Sequence, residues 1–211
     1  MNSQLLTLNN NHIFVCGITR SGKTYFAKTA AARIPRPVLF FNIQGEDMPA
    51  PFMEVDYTNE LRDIMRYLRK EYKLNFTFGS LRLDQIMRVI GYVCDQIMNS
   101  GSFSQQRPVY IVIDEAQILE GHALKSAIAI STRGLARGVR LISITQRPAL
   151  CNKTIYTQAA EQYLFRLAPS EAQYIKNKGI DYDYCLAQWE QLGDHSYIFS
   201  DGFILKGCKA I

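Results

Sequence analysis

A glycine-rich segment near the start of the chain limits what it can fold into more than any other feature. Its glycines, lysine and threonine have the spacing G-x-x-x-x-G-K-[ST], in the order Gly17-Ile18-Thr19-Arg20-Ser21-Gly22-Lys23-Thr24. The apolar residues 12–16 precede it, and the alanine-rich residues 24–33 that follow have a helical pattern. The sequence therefore predicts a strand, a tight loop and a helix, with backbone N–H groups of the loop converging at the positive end of the helix dipole.

The residue types in this segment are those that bind the phosphates of a nucleotide. Gly17 and Gly22 let the backbone turn tightly around the β-phosphate, and Lys23 neutralises the β- and γ-phosphates. The hydroxyl of Thr24 completes the coordination of Mg²⁺. We therefore expect residues 17–24 to bind ATP with Mg²⁺; the alternative is a fortuitous glycine-rich turn, which the flanking strand and helix disfavour.

A second motif supplies the acidic groups that such a site needs. The strongly apolar residues 109–113 predict a buried central strand, and they end in Asp114 and Glu115. Asp114 is expected to hold the Mg²⁺ shell, and Glu115 to polarise the attacking water as general base. The alternative for Glu115 is an exposed acid that merely ends a strand.

Strands alternate with helices along the chain, which favours an α/β architecture. We predict one P-loop NTPase domain, residues 1–211, of the RecA-like type with an additional catalytic glutamate. Its mainly parallel central sheet is flanked by helices and ends in a C-terminal β-hairpin turned at Asp201-Gly202. The predicted strands are residues 12–16, 38–42, 76–78, 109–113, 140–145, 162–168, 195–200 and 203–206, and the predicted helices are residues 24–33, 59–73, 83–98, 122–136, 170–178 and 184–192.

Composition sets weaker limits on function. A net charge of +5 and a pI of about 8.9 permit contact with nucleic acid without establishing it. The five cysteines and three histidines are scattered, so neither a disulfide framework nor a zinc site is predicted. Because the first residues lack the pattern of a signal peptide and no apolar stretch is long enough to cross a bilayer, we expect a cytoplasmic location.

A third block of residues carries a resemblance to a known family. The segment Gly138-Val-Arg-Leu-Ile-Ser-Ile-Thr145-Gln146-Arg147-Pro148 resembles a block of the FtsK/HerA superfamily of DNA-translocating ATPases. The apolar residues 38–42 running into Gly45-Glu46, and two later segments at residues 162–167 and 192–199, also look like that superfamily. Because Gln146 ends a strand predicted to lie beside the strand of Asp114, we expect it near the γ-phosphate, where an amide can sense hydrolysis. The alternative is a polar residue that merely ends a strand.

Within this superfamily the chain looks most like the small genome-packaging ATPases of tailless, internal-membrane viruses. That resemblance implies sequence-independent binding of double-stranded DNA, a homo-oligomeric ring, and docking to capsid vertex or portal proteins, with an internal viral membrane contacted through other proteins. It implies a location in the host cytoplasm and at the packaging vertex of the virion. The alternatives are a HerA-like or conjugation-type DNA pump or helicase core, and an ATP-dependent regulatory switch.

Ring ATPases of this kind complete each site with an arginine from the neighbouring subunit, which stabilises charge on the γ-phosphate in the transition state. The candidates are Arg133, Arg137 and Arg147. The superfamily's basic residues usually lie two or three positions before the Gly-Val pair, where this chain has Leu135 and Ala136, which leaves the choice open between Arg133 and Arg137. Plain surface arginines are the alternative. Candidate DNA contacts are Arg82, Arg88, Lys125 and Lys153.

Overall fold

The structure is a computed structural model that describes residues 11–176, 179–201 and 205–209. Its strands are β1 (Ile13–Cys16), β2 (Val38–Phe41), β3 (Met53–Asp56), β4 (Lys73–Thr77), β5 (Val109–Ile113), β6 (Val139–Thr145), β7 (Glu161–Phe165), β8 (Ser196–Ser200) and β9 (Leu205–Lys209). Its α-helices are α1 (Lys23–Arg33), α2 (Leu61–Arg69), α3 (Leu83–Asn99), α4 (Gly121–Arg133), α5 (Lys153–Thr157), α6 (Ala172–Lys176) and α7 (Tyr182–Leu192).

Within the described residues these strands form one sheet in the order β3-β4-β2-β5-β6-β1-β7-β8-β9. The pairings from β3 through β7 are parallel, and β8 and β9 add antiparallel strands at one edge. Every residue of β1, β2, β5 and β6 is buried, which explains their nearly continuous apolar sequences. The predicted α/β fold with a mainly parallel sheet is confirmed.

Helices cover both faces of the sheet. The apolar face of α1, including Phe26 and Ala30, packs with Val15 and Phe40 in one core cluster. The other face is covered chiefly by α3 and α4, whose apolar residues pack with those of β5 and with Trp189 of α7. Because β1, β5 and β6 run parallel between these layers, their carboxyl ends meet at one edge of the sheet, which is where α/β proteins bind ligands.

Most predicted elements are present, with shifts at their ends. The predicted helix at residues 59–73 is the shorter α2, because residues from Lys73 onward form β4. Two elements were missed, namely β3, whose four residues at the sheet edge follow a proline-rich loop, and α5, a five-residue helix capped by the Asn152 side chain. In the predicted hairpin, β8 and β9 are antiparallel, but β9 begins at Leu205. Residues 177–178 of one predicted helix and 202–204 of the predicted hairpin lie outside the described residues.

Two expectations from composition concern cysteines and membrane spans. All five cysteines are free thiols, and four of them are buried. Among the residues described here, no helix combines the length and the apolar character that crossing a bilayer requires.

A buried histidine directly before β1 makes the stability of the fold depend on pH. The Nδ1 atom of His12 accepts a hydrogen bond from the backbone N–H of Leu141 at 3.0 Å. Burial, and secondly the charge of Arg140, lower the pKa of His12 from 6.5 to about 4. Folding therefore favours the neutral ring, so this contribution to stability is complete above pH 6.5 and is lost as the pH falls toward 4.

We expect the free energy of unfolding to decrease by up to about 3 kcal/mol from this one group over that interval, at about 1.4 kcal/mol per pKa unit. Urea unfolding of the wild type and of His12→Asn, measured across the interval, checks this. Asparagine keeps an acceptor oxygen for Leu141 but does not titrate, so the variant should show a flatter pH profile. Parallel profiles for the two proteins would contradict the assignment.

Candidate active site

The segment at residues 17–24 forms the predicted loop between β1 and α1. Gly22 has φ 91° and Arg20 has φ 63°, so two residues of the loop adopt the left-handed backbone conformation just before the helix. A Cβ atom on Gly17 would lie 2.5 Å from the Cβ of Phe165, so only glycine fits there. The Gly17 N–H donates to the Thr145 carbonyl at 3.2 Å, which fixes the loop to the end of β6.

Lys23 lies buried at the first turn of α1, with its ammonium group close to the acidic motif. Burial lowers its pKa, while the charges of Glu115 and Asp114 raise it in opposition. A buried ammonium group is stabilised by an anion that lies against it. The position therefore suits the neutralisation of a bound triphosphate, as the sequence predicts.

Asp114 directly follows β5 and is likewise buried. Burial raises its pKa from 3.8 to about 6, partly offset by the backbone N–H of Glu115, which donates to Asp114 Oδ1 at 2.9 Å. A buried carboxylate with few compensating charges fits a site for a hard divalent cation, and Thr24 contributes a hydroxyl oxygen from the start of α1. Asp114 and Thr24 would hold Mg²⁺, which when bound neutralises charge on the β- and γ-phosphates.

Glu115 is held by the amide groups of three glutamines. Its backbone is left-handed, with φ 56°, and this turns the side chain away from the strand direction. Gln146 Nε2 donates to Glu115 Oε1 at 2.6 Å, and the side-chain amides of Gln44 and Gln117 donate to the same carboxylate. Three donors fix the orientation of this carboxylate, which suits a group that must accept a proton from a water molecule in a defined position.

Gln146 connects this carboxylate to the phosphate-binding loop. β6 lies between β1 and β5, so its end lies between the loop and the acidic motif. The Oε1 atom of Gln146 accepts a hydrogen bond from Thr19 Oγ1 at 2.7 Å, while its Nε2 atom donates to Glu115. The structure thus brings Gln146 into the site, beside the position expected for the γ-phosphate.

Gln44 and Gln117 belong to the site but were not predicted from the sequence. Gln44 follows β2 and lies two positions before Glu46, which is part of the segment that resembles the superfamily. Glu46 instead pairs with Lys28 Nζ at 2.8 Å. Gln117 also accepts a hydrogen bond from Thr145 Oγ1 at 2.6 Å. Their positions just after strands β2 and β5 of a parallel sheet were the available signal.

The structure places Arg133 and Arg137 far from their own chain's site. Both precede β6, whose seven residues span roughly 20 Å before Gln146 is reached. The Arg137 guanidinium donates to the Met98 carbonyl at 3.0 Å and to Asn99 Oδ1 at 2.9 Å. Any role of either arginine at a nucleotide is therefore a role at a neighbouring subunit's site, and it stays a prediction.

The other basic candidates are distributed over different parts of the surface. Arg147 directly follows Gln146 and is exposed beside the phosphate-binding loop. Arg82 and Arg88 flank the start of α3, where both pair with Asp84. Lys125 on α4 and Lys153 at the start of α5 are exposed. These positions do not form one basic patch around the site.

The sequence of residues 7–146 matches the family described as AAA domain. The chain belongs to the AAA domain family. It has the P-loop, the acidic strand end and the strand order of a nucleoside triphosphatase.

The fold is similar to that of several solved structures. One is the genome packaging NTPase B204 from Sulfolobus turreted icosahedral virus 2 in complex with AMP, with a TM-score of 0.65 and 18% identity over 95% of this chain and 98% of that one. The same protein in complex with ATP-gammaS has a TM-score of 0.62 and 15% identity over 96% and 98% of the two chains. These likenesses confirm at the level of the fold the resemblance seen in the sequence.

A second kind of neighbour is a much longer protein. Thermomonospora curvata EccC (ATPases 2 and 3), in complex with a signal sequence peptide, has a TM-score of 0.51 and 16% identity. The likeness covers 81% of this chain but 34% of EccC. No curated protein sequence matches this chain.

Proposed function

We propose that this P-loop ATPase is a translocase of double-stranded DNA that packages a viral genome into a preformed capsid. The observation that carries the proposal is the extent of the likeness to B204, which includes 95% of this chain and 98% of a genome packaging NTPase. The secretion ATPase EccC shares the fold over only 34% of its length. ATP hydrolysis at this site would supply the free energy that a packaging motor needs.

Hydrolysis follows from the geometry of the site. The loop N–H groups and Lys23 hold the β- and γ-phosphates, and Asp114 with Thr24 would hold the Mg²⁺. Glu115 accepts a proton from the attacking water, which adds to the γ-phosphorus as the bond to ADP breaks. Departure of the γ-phosphate then changes what Gln146 can bind. Because Gln146 directly precedes the exposed Arg147 and the 3-10 turn at Pro148–Leu150, this change is passed to the surface.

The proposed partners follow from the same function. Double-stranded DNA is bound through its phosphates without reading sequence, since no base-reading motif is present in the sequence. The subunits form a homo-oligomeric ring that docks on capsid vertex or portal proteins, and other proteins provide any contact with an internal viral membrane. We place the motor in the host cytoplasm and at the packaging vertex of the virion.

Two other functions use the same site. A HerA-like or conjugation-type pump or helicase core would also translocate DNA, with its additional domains supplied separately. A regulatory switch would bind ATP and a protein without moving DNA. The arrangement of three amides around Glu115 favours turnover over a slow switch, because it fixes the carboxylate in one orientation beside the expected γ-phosphate position.

DNA-stimulated turnover distinguishes these functions. We expect double-stranded DNA to increase the rate of ATP hydrolysis, equally for two unrelated sequences, and the stimulation to weaken steeply with salt as counterions are released. The measurement is phosphate release at several salt concentrations, with Glu115→Gln as the control for contaminating ATPases. Turnover that DNA does not change would favour the switch, and strong discrimination between the two duplexes would contradict sequence-independent binding.

A further inference from the structure

A cavity of about 310 Å³ lies beside the phosphate-binding loop. Its walls are the loop itself, Arg166 after β7, Trp189 of α7, and the residues that connect α7 to β8, including Asp194 and His195. None of Arg166, Trp189, Asp194 and His195 has a role in the hydrolytic site described above. Arg166 and His195 are exposed, so nothing in the fold requires their particular side chains for core packing.

The cavity is built from fixed parts of the fold. Phe165 of β7 pairs with Tyr197 of β8, so Arg166 and the start of β8 lie at the same edge of the sheet as the loop. The backbone N–H of Ile18 donates to the Arg166 carbonyl at 2.9 Å. The buried Trp189 donates from Nε1 to the Leu164 carbonyl at 3.1 Å, which fixes the indole.

His195 is placed against the loop by its backbone conformation. Its φ of 62° is a left-handed conformation that few non-glycine residues adopt. A Cβ on Gly22 would lie 3.0 Å from His195 Nδ1, so the imidazole lies directly over the start of α1. The ring therefore forms one side of the cavity, next to the place where the phosphates bind.

The strand order fixes the direction of a bound nucleotide. Glu115 and Gln146 lie just after β5 and β6, on one side of β1. Arg166 follows β7 and His195 precedes β8, on the other side of β1. Hydrolysis requires the γ-phosphate at Glu115, so the α-phosphate and its nucleoside must leave the loop toward β7 and β8. The cavity lies where the nucleoside emerges.

We propose that this cavity binds the base and ribose of a purine nucleoside triphosphate, with Arg166 and His195 holding the base. Both side chains are flat and stack on purine rings, and a guanidinium also contributes a cation–π contact. The carboxylate of Asp194 is positioned at the cavity to accept hydrogen bonds from nucleoside donors. The inference rests on nucleotide hydrolysis at the loop, not on DNA translocation.

A larger cavity of about 660 Å³ lies on the other side of the site and does not fit this role. It is lined by α1 residues from Tyr25 to Arg33 and by the loop after β2, where Lys28 pairs with Glu46. In the strand order β2-β5-β6-β1, the loop after β2 and the loop after β1 lie on opposite sides of Glu115, which follows β5. A nucleoside in the larger cavity would therefore place the α-phosphate nearest Glu115. The γ-phosphate would then point away from the general base.

Comparing ATP with inorganic tripolyphosphate separates base contacts from phosphate contacts. We expect Arg166→Ala and His195→Asn each to weaken Mg·ATP binding roughly tenfold by calorimetry, while binding of Mg·tripolyphosphate is unchanged. Asparagine is used because it tolerates the left-handed backbone at this position. Arg62→Ala is the matched control, because Arg62 is an exposed arginine on α2, which contacts β4 at the opposite end of the sheet from β7 and β8. Equal weakening of both ligands, or unchanged ATP binding, would overturn the proposal.

A second measurement uses the unaltered protein and does not depend on how the variants fold. Photolysis with 8-azido-ATP should label the peptide that contains residues 189–196 or the one that contains Arg166, as identified by mass spectrometry. Labelling confined to peptides that line the larger cavity, around Tyr25 and Met48, would overturn the proposal. Neither measurement includes DNA. If DNA did not stimulate turnover, the proposed function would be contradicted, but these two results could still be interpreted.

Discussion

Glu115→Gln should bind ATP with nearly unchanged affinity and hydrolyse it roughly 10²–10⁴ times more slowly. The glutamine amide has the size of the carboxylate but cannot accept a proton from the attacking water. ATP binding by calorimetry and phosphate release under saturating ATP separate the two effects. Turnover at the wild-type rate would remove Glu115 as the general base and would leave the phosphate-binding loop assignment intact.

Substitutions of Lys23 and Asp114 should impair two different functions of the site. Lys23→Ala should lose ATP binding by roughly 10–100-fold, because a buried cation that bonds the phosphates is removed. Asp114→Ala should instead raise the Mg²⁺ concentration needed for turnover, since it removes part of the metal shell. If Lys23→Ala bound ATP as tightly as the wild type, the phosphate role of this lysine would be wrong.

Mixing two inactive variants should restore activity if an arginine acts across subunits. The first variant is the double substitution Arg133→Ala, Arg137→Ala, and the second is Glu115→Gln. In a mixed ring, some interfaces combine an intact Glu115 with intact arginines, so turnover should rise well above that of either variant alone. Wild-type protein diluted until it is monomeric should be nearly inactive for the same reason.

The contact that Arg137 makes within its own chain requires a control. Because its guanidinium bonds Met98 and Asn99, the double substitution also removes a tie between α3 and the turn before β6. Asn99→Ala loosens the same tie while keeping both arginines, and it should retain DNA-independent turnover. Assembled mixed rings without recovery, or full activity of dilute monomers, would contradict the cross-subunit role of Arg133 and Arg137.

Motifs with short spacing could be placed from the sequence alone. The loop at residues 17–24 and the pair Asp114 and Glu115 each combine a local signal with a strand or helix that begins or ends beside it. The position of Gln146 was also predictable, because parallel strands end at one edge of the sheet and its strand was expected beside that of Asp114.

Contacts between distant segments were not predictable in this way. Gln44 meets Glu115 across 71 residues of chain, and the Arg166 and His195 cavity depends on the antiparallel pairing of β7 with β8. No local pattern marks these side chains, since an isolated glutamine or histidine in a loop is usually a solvated surface residue. The edge strand β3 was missed because four residues after a proline-rich loop give too short a pattern.

DNA translocation itself can be measured, by testing whether ATP hydrolysis moves the protein along double-stranded DNA. A third strand annealed to the end of a long duplex is displaced when a translocase reaches it. We expect displacement by the wild type with Mg·ATP, independent of the duplex sequence, and none by Glu115→Gln. ATP hydrolysis by the wild-type ring on this duplex without displacement of the third strand would contradict the claim that this protein is a DNA translocase.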